Sequence, residues 1–174
     1  MRSISTLIVR PTKLGATNGR LEAGSISMPC FIGKGGSTHL KVEGDGKTPC
    51  GKFPIRHFYF RHDRIKRSPC LITDSNISSE LRWCDDVRSR LYNRPFVSGE
   101  RCRSEAMWRT DGLYDVVGVL DYNLRSRCIG RGSAIFFHLY DARTSGTEGC
   151  ISISAANMRR LLPRLSKKVS IQIL

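Results

Sequence analysis

A chain of 174 residues is long enough to bury one core without help from metals or disulfides. Apolar residues at 40% and charged residues at 25% are the proportions of a soluble globular chain, and no apolar stretch is long enough for a transmembrane helix. The charge is less ordinary: 29 Lys and Arg against 15 Asp and Glu give +14, a field that favours anionic partners without choosing among nucleic acid, acidic membrane and cell-wall polymer.

The N-terminal apolar run (Leu7, Ile8, Val9) is too short for a signal peptide and no small-residue cleavage site follows it. Residues 1–33 read as paired strands. Leu7 and Val9 alternate with polar neighbours, Asn18-Gly19 marks a turn, and Ile26, Met28, Cys30 and Ile32 repeat at period two. The loop from Val42 to Lys52 carries close-spaced glycines with Asp45 and Pro49, a composition for positive φ and tight turning. It lacks the Walker pattern, so it is expected to shape a cleft wall rather than hold a phosphate. Phe53 to Phe60 follows as an aromatic strand, and Arg61 to Arg67 as a basic cluster. Aromatics interleaved with cations can bind single-stranded nucleic acid. No RNP, Cys/His finger or helix-turn-helix pattern accompanies them, so a packed strand with a solvated edge is expected instead, and His57 and His62 receive no role.

Residues 76–93 read as a helix capped by Ser78 or Ser79, with Leu81, Cys84, Val87 and Leu91 as its inner stripe. Asp85-Asp86 has no third oxygen ligand spaced to join it in a metal site. Residues 95–110 read as a basic irregular loop over the cleft, with Trp108 either a wall residue or a packed indole. Residues 114–122 return to strand, apolar on both faces and so covered on two sides. Asp121-Tyr122-Asn123 then serves as a side-chain-capped turn or as a substrate-facing element.

An apolar strand, Ala134 to Phe137, runs into His138, and a polar loop leads to Cys150, after which Ile151 and Ile153 form another strand. One imidazole and one thiol at the mouths of adjacent strands suit a nucleophile and its base, with an ion pair keeping the thiolate populated near neutral pH. Without spatial context the same two residues are a buried thiol and a packed ring. Ser154 caps a short helix, Ala155 to Leu162, and Val169, Ile171 and Ile173 close the chain as a strand. Cys150 lies too far before that helix for its dipole to matter, so activation is assigned to His138. The remaining cysteines (30, 50, 70, 84, 102 and 128) show no Cys-x-x-Cys spacing and no zinc site is expected. They form up to three disulfides in an oxidising compartment or stay reduced elsewhere, with Cys150 left over. About eight strands and two short helices make a mainly β sandwich with mixed sheets, one domain over residues 1–174.

The segment from His138 to Thr147-Glu148-Gly149-Cys150-Ile151-Ser152 resembles the catalytic motif of the L,D-transpeptidase (YkuD-type) family. That motif is a His on one strand, a loop, then Ser/Thr-His-Gly-Cys, a hydrophobic residue and often Asn or Arg. Thr48-Pro49-Cys50-Gly51-Lys52-Phe53 is similar to the family's Thr-Pro-x-Gly-x-Phe segment, and Asp121-Tyr122-Asn123 and Gly130-Arg131-Gly132-Ser133 extend the match over residues 40–155. Glu148 stands where many members carry a second His, Ser152 stands where Asn or Arg is usual, and the loop from His138 to Cys150 is short for the family.

The resemblance implies an L,D-transpeptidase-like β-sandwich with its site in a cleft between sheets. It further implies acyl transfer on peptidoglycan tetrapeptide stems with no metal or organic cofactor. Cys150 would be the nucleophile and His138 the base, with an oxyanion site around Gly149 and Cys150 assisted by Thr147. Arg131 would suit a stem carboxylate, and Tyr122 and Asn123 complete the candidate substrate contacts. The acceptor is another stem, giving a 3→3 cross-link, or the lysine of an outer-membrane protein. Water in that place would make a carboxypeptidase or endopeptidase, and an inert Cys150 a wall-binding module. The family's location is the periplasm or cell envelope, and nucleic acid is not an expected partner.

Overall fold

The computed structural model describes residues 3–65, 72–97 and 99–174. Lys66, Arg67 and Cys70, which belong to the basic cluster and the cysteine set above, lie outside the described residues. The strands are β1 (Ile4–Pro11), β2 (Asn18–Ala23), β3 (Ile26–Phe31), β4 (Ser37–Thr38), β5 (Thr48–Pro49), β6 (Gly51–Phe60), β7 (Asp74–Asn76), β8 (Leu81–Cys84), β9 (Pro95–Val97), β10 (Ser104–Ala106), β11 (Val116–Leu120), β12 (Phe136–Tyr140), β13 (Ile151–Ser154) and β14 (Leu165–Ile173). One α-helix, α1 (Ala155–Leu161), precedes β14.

A nine-stranded sheet runs β11-β12-β13-β3-β2-β1-β14-β6-β7, and β11 also pairs with β6. That extra pairing closes the sheet into a barrel, with β7 alongside β6, where a two-sheet sandwich was expected. Closure comes from the length of β6. One edge runs with β11 from Ile55 to Phe60, and the remaining positions pair with β14 near Gly51 and with β7 near Phe60. A closed sheet leaves few free edges, which removes a liability of open β-proteins. A three-stranded sheet, β10-β8-β9, lies apart from the barrel sheet.

Two apolar clusters result. The first is dominated by barrel residues, including Leu7, Leu21, Phe58, Phe137, Ile151 and Ile171. The second joins Ile77, Trp83, Met107 and Tyr114 to Val117, Val119, Phe136 and Cys150. Strand β11 separates them: Val116 and Leu120 belong to the first, Val117 and Val119 to the second. Its residues are buried along the whole strand, as the two-sided apolar pattern predicts.

Three local expectations give way. Asn18 and Gly19 are strand residues rather than a turn, with Gly19 opposite Pro11; a Cβ on Gly19 would meet the Arg10 carbonyl oxygen at 2.4 Å, so the close strand approach selects glycine. The helix expected over 76–93 is replaced by β8 and a series of turns. There Asp86 Oδ1 accepts from Arg88 N–H at 3.0 Å and Ser89 Oγ from Leu91 N–H at 3.1 Å, local bonds that compete with helical ones. Trp83, outside the supposed helical stripe, turns inward together with Cys84 and lies edge-on to Phe136 at 5.0 Å. The supposed irregular loop 95–110 contains β9 and β10, and Trp108 packs beneath the Arg61 guanidinium at 3.4 Å.

The C-terminal expectations hold more closely. Ser154 Oγ accepts from Asn157 N–H at 3.3 Å to cap α1, and Met158 and Leu161 face inward. Pro163, within the 3-10 turn Leu162–Arg164, has no N–H to continue the ladder. Among the described residues no helix is long and apolar enough to cross a membrane.

Candidate active site

Strands β12 and β13 run parallel, with Phe137 opposite Ile151 and His138 opposite Ser152. Extending that register by one residue sets Phe136 opposite Cys150. Side chains alternate along a strand, so Phe136, His138 and Cys150 project to the same side. His138 and Cys150, separated by a loop in sequence, thereby line one open cavity of about 640 Å³. They are 6% and 7% exposed respectively, so both are largely withdrawn from solvent.

The thiol is held by the backbone of β12 and the residues before it. Cys150 Sγ accepts from the Phe136 N–H at 3.3 Å and donates to the Ala134 carbonyl at 3.2 Å. Burial pushes the thiol up to about 12, with the charge of Glu105 adding to the shift and the Phe136 N–H opposing it. Burial likewise lowers His138 to about 4, against the pull of the Leu139 carbonyl. His138 Nδ1 lies 2.8 Å from that carbonyl oxygen, which can only accept and so takes a ring N–H, and the Leu113 carbonyl is a second acceptor for the ring. Burial thus disfavours the charged form of both groups and works against the expected ion pair. The reason is that both groups have left water before any substrate is present.

The family model of the YkuD L,D-transpeptidase catalytic domain matches residues 10–173. The chain belongs to the YkuD family. No curated protein matches. Among solved structures, a chain described as the structure of Bdellovibrio bacteriovorus Bd1075 aligns with 13% identity and a TM-score of 0.46. The alignment covers 99% of this chain and 50% of that one, so this chain spans about half the length of the other. The YkuD family acts on peptidoglycan stem peptides and is associated with the cell envelope.

Within this YkuD domain, the Thr-Pro segment sits directly behind the thiol. Thr48 Oγ1 accepts from Gly33 N–H at 2.8 Å and donates to the Cys150 carbonyl at 3.3 Å. Thr147 Oγ1 donates to the same carbonyl at 2.7 Å and accepts from Gly149 N–H at 3.2 Å. The Thr147 hydroxyl proton and the Gly149 N–H thus help shape the turn before Cys150, the turn around which the oxyanion site was expected. Gly149 has φ 122°, and a Cβ there would stand 2.8 Å from the Lys47 carbonyl oxygen, so both backbone and space require glycine. Glu148 projects outward at the cavity rim, 2.7 Å from Lys34 Nζ.

Arg131, Tyr122 and Asn123 do not line the Cys150 cavity; they border a separate one of about 280 Å³. Tyr122 Oη donates to the Arg131 carbonyl at 2.6 Å, and Asn123 Nδ2 to the carbonyls of Cys128 and Gly132 at 3.0 and 2.9 Å. Of the two uses expected for the Asp-Tyr-Asn turn, the structure displays the turn-holding one, and the exposed Arg131 lies beside it rather than beside the thiol.

Other residues of the YkuD cavity were not singled out in the sequence. Tyr114 stands against the imidazole, ring centroids 5.1 Å apart, and its hydroxyl donates to Glu105 Oε1 at 2.6 Å. Burial pushes the Glu105 carboxyl up and the Tyr114 phenol well up. Asn93, buried at φ 57°, supports the thiol from behind. Its Oδ1 accepts from Ala134 N–H and Trp83 Nε1 at 3.0 Å each, and its Nδ2 donates to the carbonyls of Tyr122 and Asn123 at 3.1 and 2.9 Å. Ala134, so fixed at φ 53°, presents the carbonyl that takes the Cys150 proton. The sequence pattern places Asn93 at the end of a helix, and its partners are distant in sequence.

The cavity's charge runs against that of the chain. Glu43, Asp85, Glu105, Asp111, Asp141 and Glu148 line it beside Lys34, Arg103, Arg109 and Arg143. Carboxylates outnumber cations in the cavity of a protein with a net charge of +14. Among the described residues no group of three His, Cys, Asp or Glu is arranged to hold a metal ion.

Proposed function

We propose that this YkuD domain carries out cysteine-dependent acyl transfer on peptidoglycan tetrapeptide stems. The observation that carries this reading is the parallel β12–β13 register, which sets a thiol and a buried imidazole on one face of one cavity. Cys150 attacks the carbonyl at the L-centre of the third stem residue. His138 accepts the thiol proton through Nε2 and passes it to the departing D-Ala amine, leaving a thioester on Cys150. The Leu139 carbonyl stabilises the imidazolium that forms between these steps.

Because burial disfavours the charged form of both groups, proton transfer in this reading accompanies substrate binding rather than preceding it. A bound carbonyl displaces water and offers the sulfur a partner other than the Ala134 carbonyl. An acceptor amine then resolves the thioester. The excess of carboxylates around the cavity favours gathering a cationic amine, which supports transfer to a stem amine or to a protein lysine, an outer-membrane protein included, over hydrolysis. Such an activity belongs in the periplasm or cell envelope and uses no cofactor.

Product analysis on tetrapeptide-bearing wall fragments tests the reading. Cross-linked dimers joined 3→3, absent with Cys150→Ala, are the expected result. Tripeptides as the sole product would instead assign water as the acceptor. Binding without turnover would leave a wall-binding module.

A further inference from the structure

The carboxylates of the cavity are not equivalent. Asp85, Asp111, Asp141 and Glu148 each already hold a cation by a hydrogen bond: Arg103 at 3.1 Å, Arg109 at 3.1 Å, Arg143 at 2.7 Å and Lys34 at 2.7 Å. Glu43 and Glu105 remain. Glu43 Oε2 accepts from the Tyr92 hydroxyl and, at 2.8 Å, from Ser133 Oγ, on the side of the turn that carries Ala134. Glu105 lies on the imidazole side. It stands on β10 opposite Trp83 of β8, and its Oε1 accepts from Tyr114 Oη at 2.6 Å, while the Tyr114 ring packs edge-on to His138. Arg109 Nη1 is 3.8 Å from that oxygen, beyond hydrogen-bonding distance, because the guanidinium is turned to Asp111. Glu105 Oε2 takes no hydrogen bond from the described residues, and the side chain, 30% exposed, lines the cavity.

A carboxylate in this place hinders the first half of the reaction, since its charge adds to the burial that keeps the Cys150 thiol from ionising. It suits the second half, in which the incoming group is an ammonium. We propose, resting on the acyl-transfer reading above, that Glu105 selects the acceptor, holding the ammonium of a primary amine on the His138 side of the thioester. Tyr114 fixes one carboxylate oxygen and leaves the other for the amine. The bound ammonium gives one proton to His138, and its nitrogen forms the C–N bond as the C–S bond breaks. The second proton lost by nitrogen restores the thiol on Cys150, and His138 releases the first to water. Water as acceptor carries no charge for Glu105 to hold, so the carboxylate favours transfer over hydrolysis.

The experiment gives the full chain a tetrapeptide-bearing wall fragment as donor and two competing acceptors in one mixture. One is Nα-acetyl-lysine, whose side chain is an ammonium; the other is hydroxylamine, uncharged near neutral pH. The ratio of lysine amide to hydroxamate, read by mass spectrometry, does not depend on how fast Cys150 is acylated. Glu105→Gln should lower that ratio about tenfold or more, and Glu43→Gln should leave it within about twofold. General damage to the fold would depress both products and spare the ratio. An unchanged ratio in Glu105→Gln, or the fall appearing in Glu43→Gln instead, would overturn the proposal and leave acyl transfer standing. Occupancy is read without turnover: Nα-acetyl-lysine should slow iodoacetamide labelling of Cys150 in wild type and not in Glu105→Gln. Protection that needs Glu105, with neither product formed, would sink acyl transfer and keep the amine site; labelling unaffected by the amine in both proteins would overturn the amine site itself.

Discussion

Cys150 is a thiol kept protonated by its surroundings, and the consequence is measurable in the free protein. A thiolate–imidazolium pair would be alkylated at a rate that is already on its plateau at neutral pH. Here burial raises the thiol to about 12 and lowers His138 to about 4, which disfavours the charged form of each at neutral pH. Iodoacetamide labelling of Cys150, followed by peptide mapping, should therefore accelerate roughly tenfold per pH unit from pH 6 to 9 with no plateau. A plateau below pH 7 would mean that the ion pair forms before substrate arrives. The proposed nucleophile and base could be singled out because their spacing and flanking residues have a pattern. Glu105 and Tyr114 were not, because their contribution is a contact between distant segments that no local spacing encodes.

At the scale of elements, the site depends on how the turn before β12 is held. Asn93 alone satisfies two donors and two acceptors from three other segments, and its side chain tolerates the left-handed backbone it adopts. Asn93→Ala leaves those buried groups without their partner, a loss of roughly 3 kcal/mol or more. The thermal midpoint should fall by about 6 °C or more, and alkylation of Cys150 should quicken at fixed pH as Ala134 is released. An unchanged midpoint would remove Asn93 from the support of the thiol. Strands such as β1, β6, β11 and β14 were readable because alternation or two-sided apolarity survives in a single sequence. The stretch 76–93 was not, because Leu81, Cys84, Val87 and Leu91 fall at helical spacing while Asp86, Ser89 and Asn93 spend their side chains on turns. Barrel closure was equally hidden, since it rests on β6 pairing along both edges rather than on any composition.

For the whole molecule, a neutral buried imidazole couples stability to pH. The unfolded chain binds a proton on His138 below about 6.5, and the folded chain only near 4, so the unfolded state holds more protons between those values. The stabilisation is complete above pH 6.5 and is lost as pH falls towards 4, by about 3 kcal/mol. Thermal melts of wild type and His138→Gln across pH 4.5 to 7 isolate this contribution from that of the carboxylates. A shallower acid loss in the variant is expected; parallel curves would show that His138 titrates normally. The net charge of +14 acts differently, favouring anionic partners at long range, whereas the cavity is lined by more carboxylates than cations.

The most direct test of acyl transfer by Cys150 is intact-mass measurement after incubation with a carbapenem, which offers the thiol an acyl group it cannot readily release. Wild type should gain one adduct, mapped to Cys150. Cys150→Ala should gain none, and His138→Ala should react at least a hundredfold more slowly. A wild-type protein that remains unmodified, or an adduct that persists in Cys150→Ala, would contradict the account.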